Sequence, residues 1–219
     1  MRNTMAHMAT HVSDAGAGET KPQLPGSGKL QTRDYITIGV YNVLYFVLIS
    51  VAAGVTHVIP VGMPLTGFAC GLFGGIPYMM VAAKSHRFGA ITIMGILLAV
   101  LMGAMHGNYY TIATAVAASV GADLIAWAGR YRSLNVNIIS AGVFNLWSIG
   151  MFLPFYIGRN DYLGALTAKN GAQYSAGLAG LFPGWVLPAL PVLGVLGGVL
   201  GAWFAKLVIR KHFEKAGLV

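Results

Sequence analysis

The sequence predicts an all-α integral membrane protein, a bundle of six transmembrane helices with both termini in the cytoplasm. Three observations lead there. Of 219 residues, 56% are apolar and only 9% are charged, and the mean hydropathy is +0.68; that leaves too little polar surface for a fold that meets water on all sides. The apolar residues gather in six runs, each near the roughly 20 residues a helix needs to cross about 30 Å of hydrocarbon. Twelve of the 14 lysines and arginines then collect in alternate gaps between those runs, and only Arg159 and Lys169 fall elsewhere. Arg2, Lys21, Lys29 and Arg33 precede the first run, Lys84 and Arg87 follow the second, Arg130 and Arg132 follow the fourth, and Lys206 to Lys215 close the last. Cytoplasmic loops are enriched in Lys and Arg, so these gaps are assigned to the inside, and the gaps near His57, His106 and Arg159 to Lys169 to the outside.

Residues 1–34 are polar and rich in Gly, Ala, Thr and Ser, with Lys21-Pro22 and Leu24-Pro25-Gly26 interrupting any helix. They read as a disordered cytoplasmic tail, since no apolar core of signal-peptide length is present. Gly26-Ser27-Gly28-Lys29 lacks both the four-residue spacer and the Ser or Thr after Lys that a phosphate-binding loop requires, so it reads as linker. Residues 35–219 form the expected membrane domain. Its runs are Ile36 to His57, Val61 to Ala83, Gly89 to Met105, Asn108 to Ala128, Val136 to Ile157 and Leu178 to Lys206. The second run holds Pro64 and a Gly74-Gly75-Ile76-Pro77 bend. Such breaks are tolerated in a span only where neighbours or a cavity satisfy the released backbone groups, which implies tight packing or a re-entrant entry. The last run crowds Pro183, Pro188 and Pro191 into its outer half.

Small residues mark the closest packing. Gly194 with Gly198 and Gly197 with Gly201 form two overlapping small-xxx-small pairs, read as an internal helix contact ahead of a contact with another subunit. Asp123 is the one acid within a span. Its expected role is structural, an ion pair with Arg130 or a capping contact near that interface. No His-Glu-x-x-His motif and no Gly-x-Ser-x-Gly elbow is present, so the chain does not read as an enzyme and no cofactor or metal is expected. Cys70 is the sole cysteine, which removes intrachain disulfides and thiol pairs for metals. The net charge of +8 is spread over loop ends, where it suits anionic lipid headgroups of the bilayer and not nucleic acid.

Polar chemistry gathers at the outer ends. Thr56 and His57 end the first run, and His106, Asn108, Tyr109 and Tyr110 fill the next outer turn. Tyr156, Arg159, Asp161 and Tyr162 follow the fifth, and Gln173, Tyr174, Phe182 and Trp185 lead into the sixth. Aromatic belts explain part of this. The two histidines point further, to an external cavity for a flat, partly polar small molecule, or for a metal complex that accepts an imidazole. The candidate substrate-binding residues are His106, Asn108, Tyr109, Tyr110, His57 and Arg159, with Phe155 and Trp185 as apolar walls.

Four stretches carry a family resemblance: Gly75-Ile76-Pro77-Tyr78-Met79, Phe88-Gly89-Ala90-Ile91-Thr92-Ile93-Met94-Gly95, Ala122-Asp123-Leu124-Ile125, and the basic end Arg210-Lys211-His212-Phe213-Glu214-Lys215-Ala216-Gly217. Over Ile36 to Val219 the chain resembles the Trep_Strep family, also called MptD-like, whose members are assigned as substrate-binding S components of energy-coupling factor (ECF) transporters. The resemblance implies a six-helix protein of the bacterial cell membrane that captures a micronutrient outside, whether vitamin-like, a haem or iron chelate, or another small metabolite. It further implies partners, namely a transmembrane coupling subunit and two cytoplasmic ATPases, with the S component toppling in the bilayer during the ATP cycle. Where S components usually present an Ala-x-x-x-Ala surface to the coupling subunit, this chain offers Gly39 with Val43, and Ala52-Ala53. Two other classes stand beside that reading: a passive channel or facilitator, which should line its whole pore with polar groups, and a membrane assembly protein without a ligand.

Overall fold

Long stretches of Leu, Val, Ile and Ala with few breakers favour helix, because in hydrocarbon each backbone N–H and C=O must be satisfied within its own segment. The structure, a computed structural model, describes residues 29–58 and 60–215 and is helical throughout, with no strand among those residues. The helices are α1 (Thr32–Val58), α2 (Thr66–Ser85), α3 (Ala90–His106), α4 (Tyr109–Ala128), α5 (Leu134–Phe144), α6 (Arg159–Asn170), α7 (Ala172–Leu181) and α8 (Val186–Lys215). Short 3₁₀ segments occupy Pro60–Leu65, Asn145–Met151 and Leu153–Phe155. Five segments are long and apolar enough to cross a membrane: Thr32–Val58, Val61–Ser85, Tyr109–Ala128, Leu134–Met151 and Val186–Ile209; α3 is equally apolar but has 17 residues. The tail expected over 1–34 lies outside the described residues up to residue 28, and Thr32 to Asp34 open α1 instead. Ala216 and Gly217 of the basic terminus also lie outside.

Three features differ from the sequence expectation. Gly74 to Pro77 do not break the second helix, since α2 continues through Pro77; the break sits earlier, in the 3₁₀ turns that hold Pro64. The gap from Arg159 to Lys169 is a helix, α6, paired with a second short helix, α7. The last span begins at Val186 and not at Leu178, because Leu178 lies in α7 and residues 182–185, which include Pro183, are not helical.

Helix α2 is the centre of the bundle, with 61% of its span buried, and it packs most extensively on α8 and α1. The α2–α8 contact is close because glycines meet. Gly71 and Gly75 of α2 abut the backbone of Gly197, Gly198 and Gly201 of α8, and a Cβ on Gly198 would lie 2.6 Å from the Ala141 carbonyl oxygen of α5. Asn145 joins the same three helices, its Nδ2 donating to the carbonyls of Gly67 and Gly194 at 2.8 Å each. Such contacts replace the hydrophobic drive that lipid does not supply. Gly39, by contrast, has open space where a Cβ would be.

One end of the bundle carries the basic loops. There Arg87 pairs with Asp34 at 3.4 Å and donates to the Lys29 carbonyl, and Lys206 donates to Asn135 at 2.7 Å. Asp123 is fully buried and forms no ion pair with Arg130. The capping contact is present instead, directed at α3. Arg130 and Tyr131 both take the left-handed conformation, at φ 53° and 57°, a turn that swings the Tyr131 hydroxyl back onto Asp123 at 2.5 Å.

Candidate functional site

At the opposite, distal end the helices lose regularity, and a cavity results. After Phe144 the chain tightens into 3₁₀ turns, and Pro154 prevents α-helix from resuming. The space left beside these turns is a cavity of about 410 Å³, within the range of small-molecule sites. Its floor is Cys70 and Trp147, the latter held by an Nε1–H bond to the Tyr45 hydroxyl at 2.9 Å. Ile49, Ser50 and Ala53 of α1, Thr66 of α2 and Met102 of α3 form its walls. Met63, Met105 and Met151 complete an apolar lining of adaptable shape.

The roof is built from the two short helices. Tyr162 and Leu166 of α6 and Tyr174 and Leu178 of α7 face the cavity together with Phe152, Phe155 and Phe182. The three phenylalanines stack: Phe155 and Phe182 lie 4.2 Å apart at 20°, and Phe152 and Phe182 lie 5.3 Å apart at 30°. Arg159 fastens this roof. Its guanidinium donates to the carbonyls of Phe155 (2.8 Å), Phe182 (3.0 Å) and Ala179 (2.9 Å), so one side chain ties the start of α6 to the end of α7 and to the 3₁₀ segment. Ser175 adds a bond to the Leu163 carbonyl at 3.1 Å. Burial, and then the neighbouring Tyr174, push the Tyr162 phenol above its ordinary range, so it remains a neutral donor.

Two histidines stand at the mouth, one from α1 and one from α3. His57 Nδ1 lies 2.6 Å from the Ala53 carbonyl and His106 Nδ1 lies 3.1 Å from the Met102 carbonyl. A carbonyl oxygen only accepts, so each Nδ1 carries a proton, and no hydrogen bond to either Nε2 is present among the described residues. Both rings are exposed, and both line the cavity.

Of the eight candidate binding residues, His57, His106 and Phe155 line this cavity and the other five do not. Asn108 caps α4, accepting from the Tyr110 N–H at 2.9 Å, while its Nδ2 donates to the Gly150 carbonyl at 2.9 Å; both ends of the amide are engaged. The Tyr109 and Tyr110 rings pack on each other at 4.1 Å, away from the cavity. Arg159 is committed to its three carbonyls. Trp185 is 73% exposed and lies beyond the roof. The residues that sequence reasoning did not select are Trp147, Phe152, Cys70 and the methionines. The signal that could have found the first two is the Phe152-Leu153-Pro154-Phe155 stretch, since irregular backbone at membrane depth is tolerated where it borders a cavity.

A family model described as "hypothetical bacterial integral membrane protein (Trep_Strep)" matches residues 32–215, from the first residue of α1 to the last of α8. No curated protein and no solved structure matches the chain.

Proposed function

The chain belongs to the Trep_Strep family of bacterial integral membrane proteins, and from that premise we propose that it is the substrate-binding S component of an ECF-type importer. In this reading six helices cross the cell membrane. The 17 residues of α3 rise about 25 Å, within the lower range of spanning helices. The basic loops hold one end and both termini in the cytoplasm, and the distal cavity opens outward to take up a micronutrient. A transmembrane coupling subunit and two ATPases supply the energy, which fits a sequence without a nucleotide-binding motif.

The observation that carries this reading is the cavity itself: a pocket of about 410 Å³ under a stapled two-helix roof, at one end of the bundle. A channel would need polar groups through its depth, and here the floor is closed by Cys70 and Trp147. Affinity purification of the tagged chain from its own membrane in mild detergent tests it. A coupling subunit and two ATPases should co-purify in stoichiometric amounts. Recovery of the chain without them, or ATP-independent accumulation of solute by the chain alone in sealed vesicles, would refute the assignment.

A further inference from the structure

The chemistry of the cavity lining narrows what can enter. Among the described residues, no Lys, Arg, Asp or Glu lines it. The Arg159 guanidinium in the roof is bonded to three carbonyls. A carboxylate or phosphate moved from water into this lining would meet no permanent counter-charge, and an ion without one is strongly disfavoured in an apolar site. A cation would find ring faces and uncharged acceptors but no carboxylate to balance its charge. Trp147 offers no donor, because its N–H is engaged by Tyr45. What the site does offer is acceptors, the Nε2 lone pairs of His57 and His106 fixed by the Nδ1 bonds to their own helices, and a wall of near-parallel rings, Phe152, Phe182 and Phe155. Since Phe182 stacks with both of the others, a flat partner would extend the stack by offset contact with an outer ring, Phe152 or Phe155. Ser50, Tyr162 and Tyr174 add hydroxyls.

We propose that the molecule taken by this cavity is electrically neutral and flat, and carries an N–H or O–H donor at its edge for His57 and His106. The inference rests on the capture reading above and deepens it by naming the ligand class. Haem, with its two carboxylates, and charged ferric chelates fall outside that class; neutral ring compounds of one or two rings fall inside it.

Four probes sharing one ring system test it: indole, 1-methylindole without the donor, indole-3-acetate as the anion and tryptamine as the cation. Each is measured by equilibrium dialysis against the full chain in detergent, with a detergent-only blank. Indole should bind saturably, one per chain, about tenfold more tightly than 1-methylindole, the effect of one hydrogen bond. Both charged probes should bind at least about a hundredfold more weakly. The double variant His57→Phe, His106→Phe keeps ring volume and removes both acceptors; it should erase the gap between indole and 1-methylindole. Equal affinity of the two neutral probes in the wild-type chain would overturn the donor requirement, and tight binding of indole-3-acetate or tryptamine would overturn neutrality. Mass spectrometry of small molecules released from the gently purified chain separates the two levels of argument. A retained charged molecule overturns the ligand class while capture stands, whereas no retained molecule together with no saturable probe overturns capture and the class with it.

Discussion

Asp123 of α4 caps Thr92 of α3, accepting its backbone N–H at 3.0 Å and its hydroxyl at 2.7 Å on the same Oδ2. The Gly89 N–H reaches that oxygen too, at 2.9 Å, and the Tyr131 hydroxyl donates to Oδ1. Helix α3 begins at Gly89 without a capping side chain of its own, and a helix start buried without partners leaves orphan N–H groups. The fourth helix therefore supplies the cap of the third. Asp123→Asn should lower stability by about 2 kcal/mol, the scale of leaving a buried donor without its acceptor, read as a lower unfolding temperature in detergent. Arg130→Ala should stay within about 0.5 kcal/mol of the parent. An equal loss in both variants would restore the ion pair that the sequence invited.

The glycine contact between α2 and α8 is a packing constraint without spare room. Gly198→Ala puts its Cβ 2.6 Å from the Ala141 carbonyl and should cost about 1–3 kcal/mol through overpacking. Gly39→Ala meets open space and should leave the unfolding temperature unchanged, so any loss of partner association in that variant reports a docking surface and not the fold.

Arg159→Ala should loosen the roof while sparing the bundle. Hydrogen exchange in Ala172–Leu181 should rise about tenfold or more once three carbonyls lose their donor, with α2 and α8 unaffected. Arg159→Lys should recover little of it, because a single ammonium lacks the planar fork that reaches three acceptors. Unchanged exchange in both variants would remove Arg159 as the fastener.

His86 gives the fold a pH dependence at the basic end. Burial, and then the charge of Arg132, hold its imidazole below the ordinary value of 6.5. The unfolded chain therefore takes up the proton first as pH falls, so this contribution is intact above about pH 6.5 and is lost progressively below it. The unfolding temperature should fall on acidification, and less so in His86→Asn, a residue that tolerates the left-handed φ of 46° found there. Identical pH profiles would exclude His86 as the source.

Orientation is testable because Cys70 is buried, leaving an introduced cysteine as the accessible thiol. With an impermeant thiol reagent on intact cells, Lys169→Cys should label and Arg132→Cys should not. The reverse pattern would invert the proposed topology and turn the cavity to the cytoplasm.

Hydropathy is a local property, and what depends on it was legible along the chain. The apolar runs mark the five long spans and the shorter α3, and each histidine at the end of a run, His57 and His106, could be assigned to the distal end before any packing was known. The pairing of Gly194, Gly197, Gly198 and Gly201 likewise pointed to a close contact, although its partners Gly71 and Gly75, more than a hundred residues earlier, were not identified. Side-chain direction is a different kind of fact. Asn108, Arg159 and Trp185 have the composition of binding residues, yet one caps a helix, one fastens a roof and one faces outward; the first two answer to backbone groups that only the fold brings within about 3 Å, and Trp185 is left exposed. Trp147 and Cys70 look like ordinary span residues and become a cavity floor because the 3₁₀ turns after Phe144 leave space above them. Sequence alone determined the all-helical membrane class and which end each polar group occupies, since these follow from the free energy of burying a segment in hydrocarbon. The tertiary structure decided which of those groups share a cavity, since that depends on contacts between segments far apart in the chain.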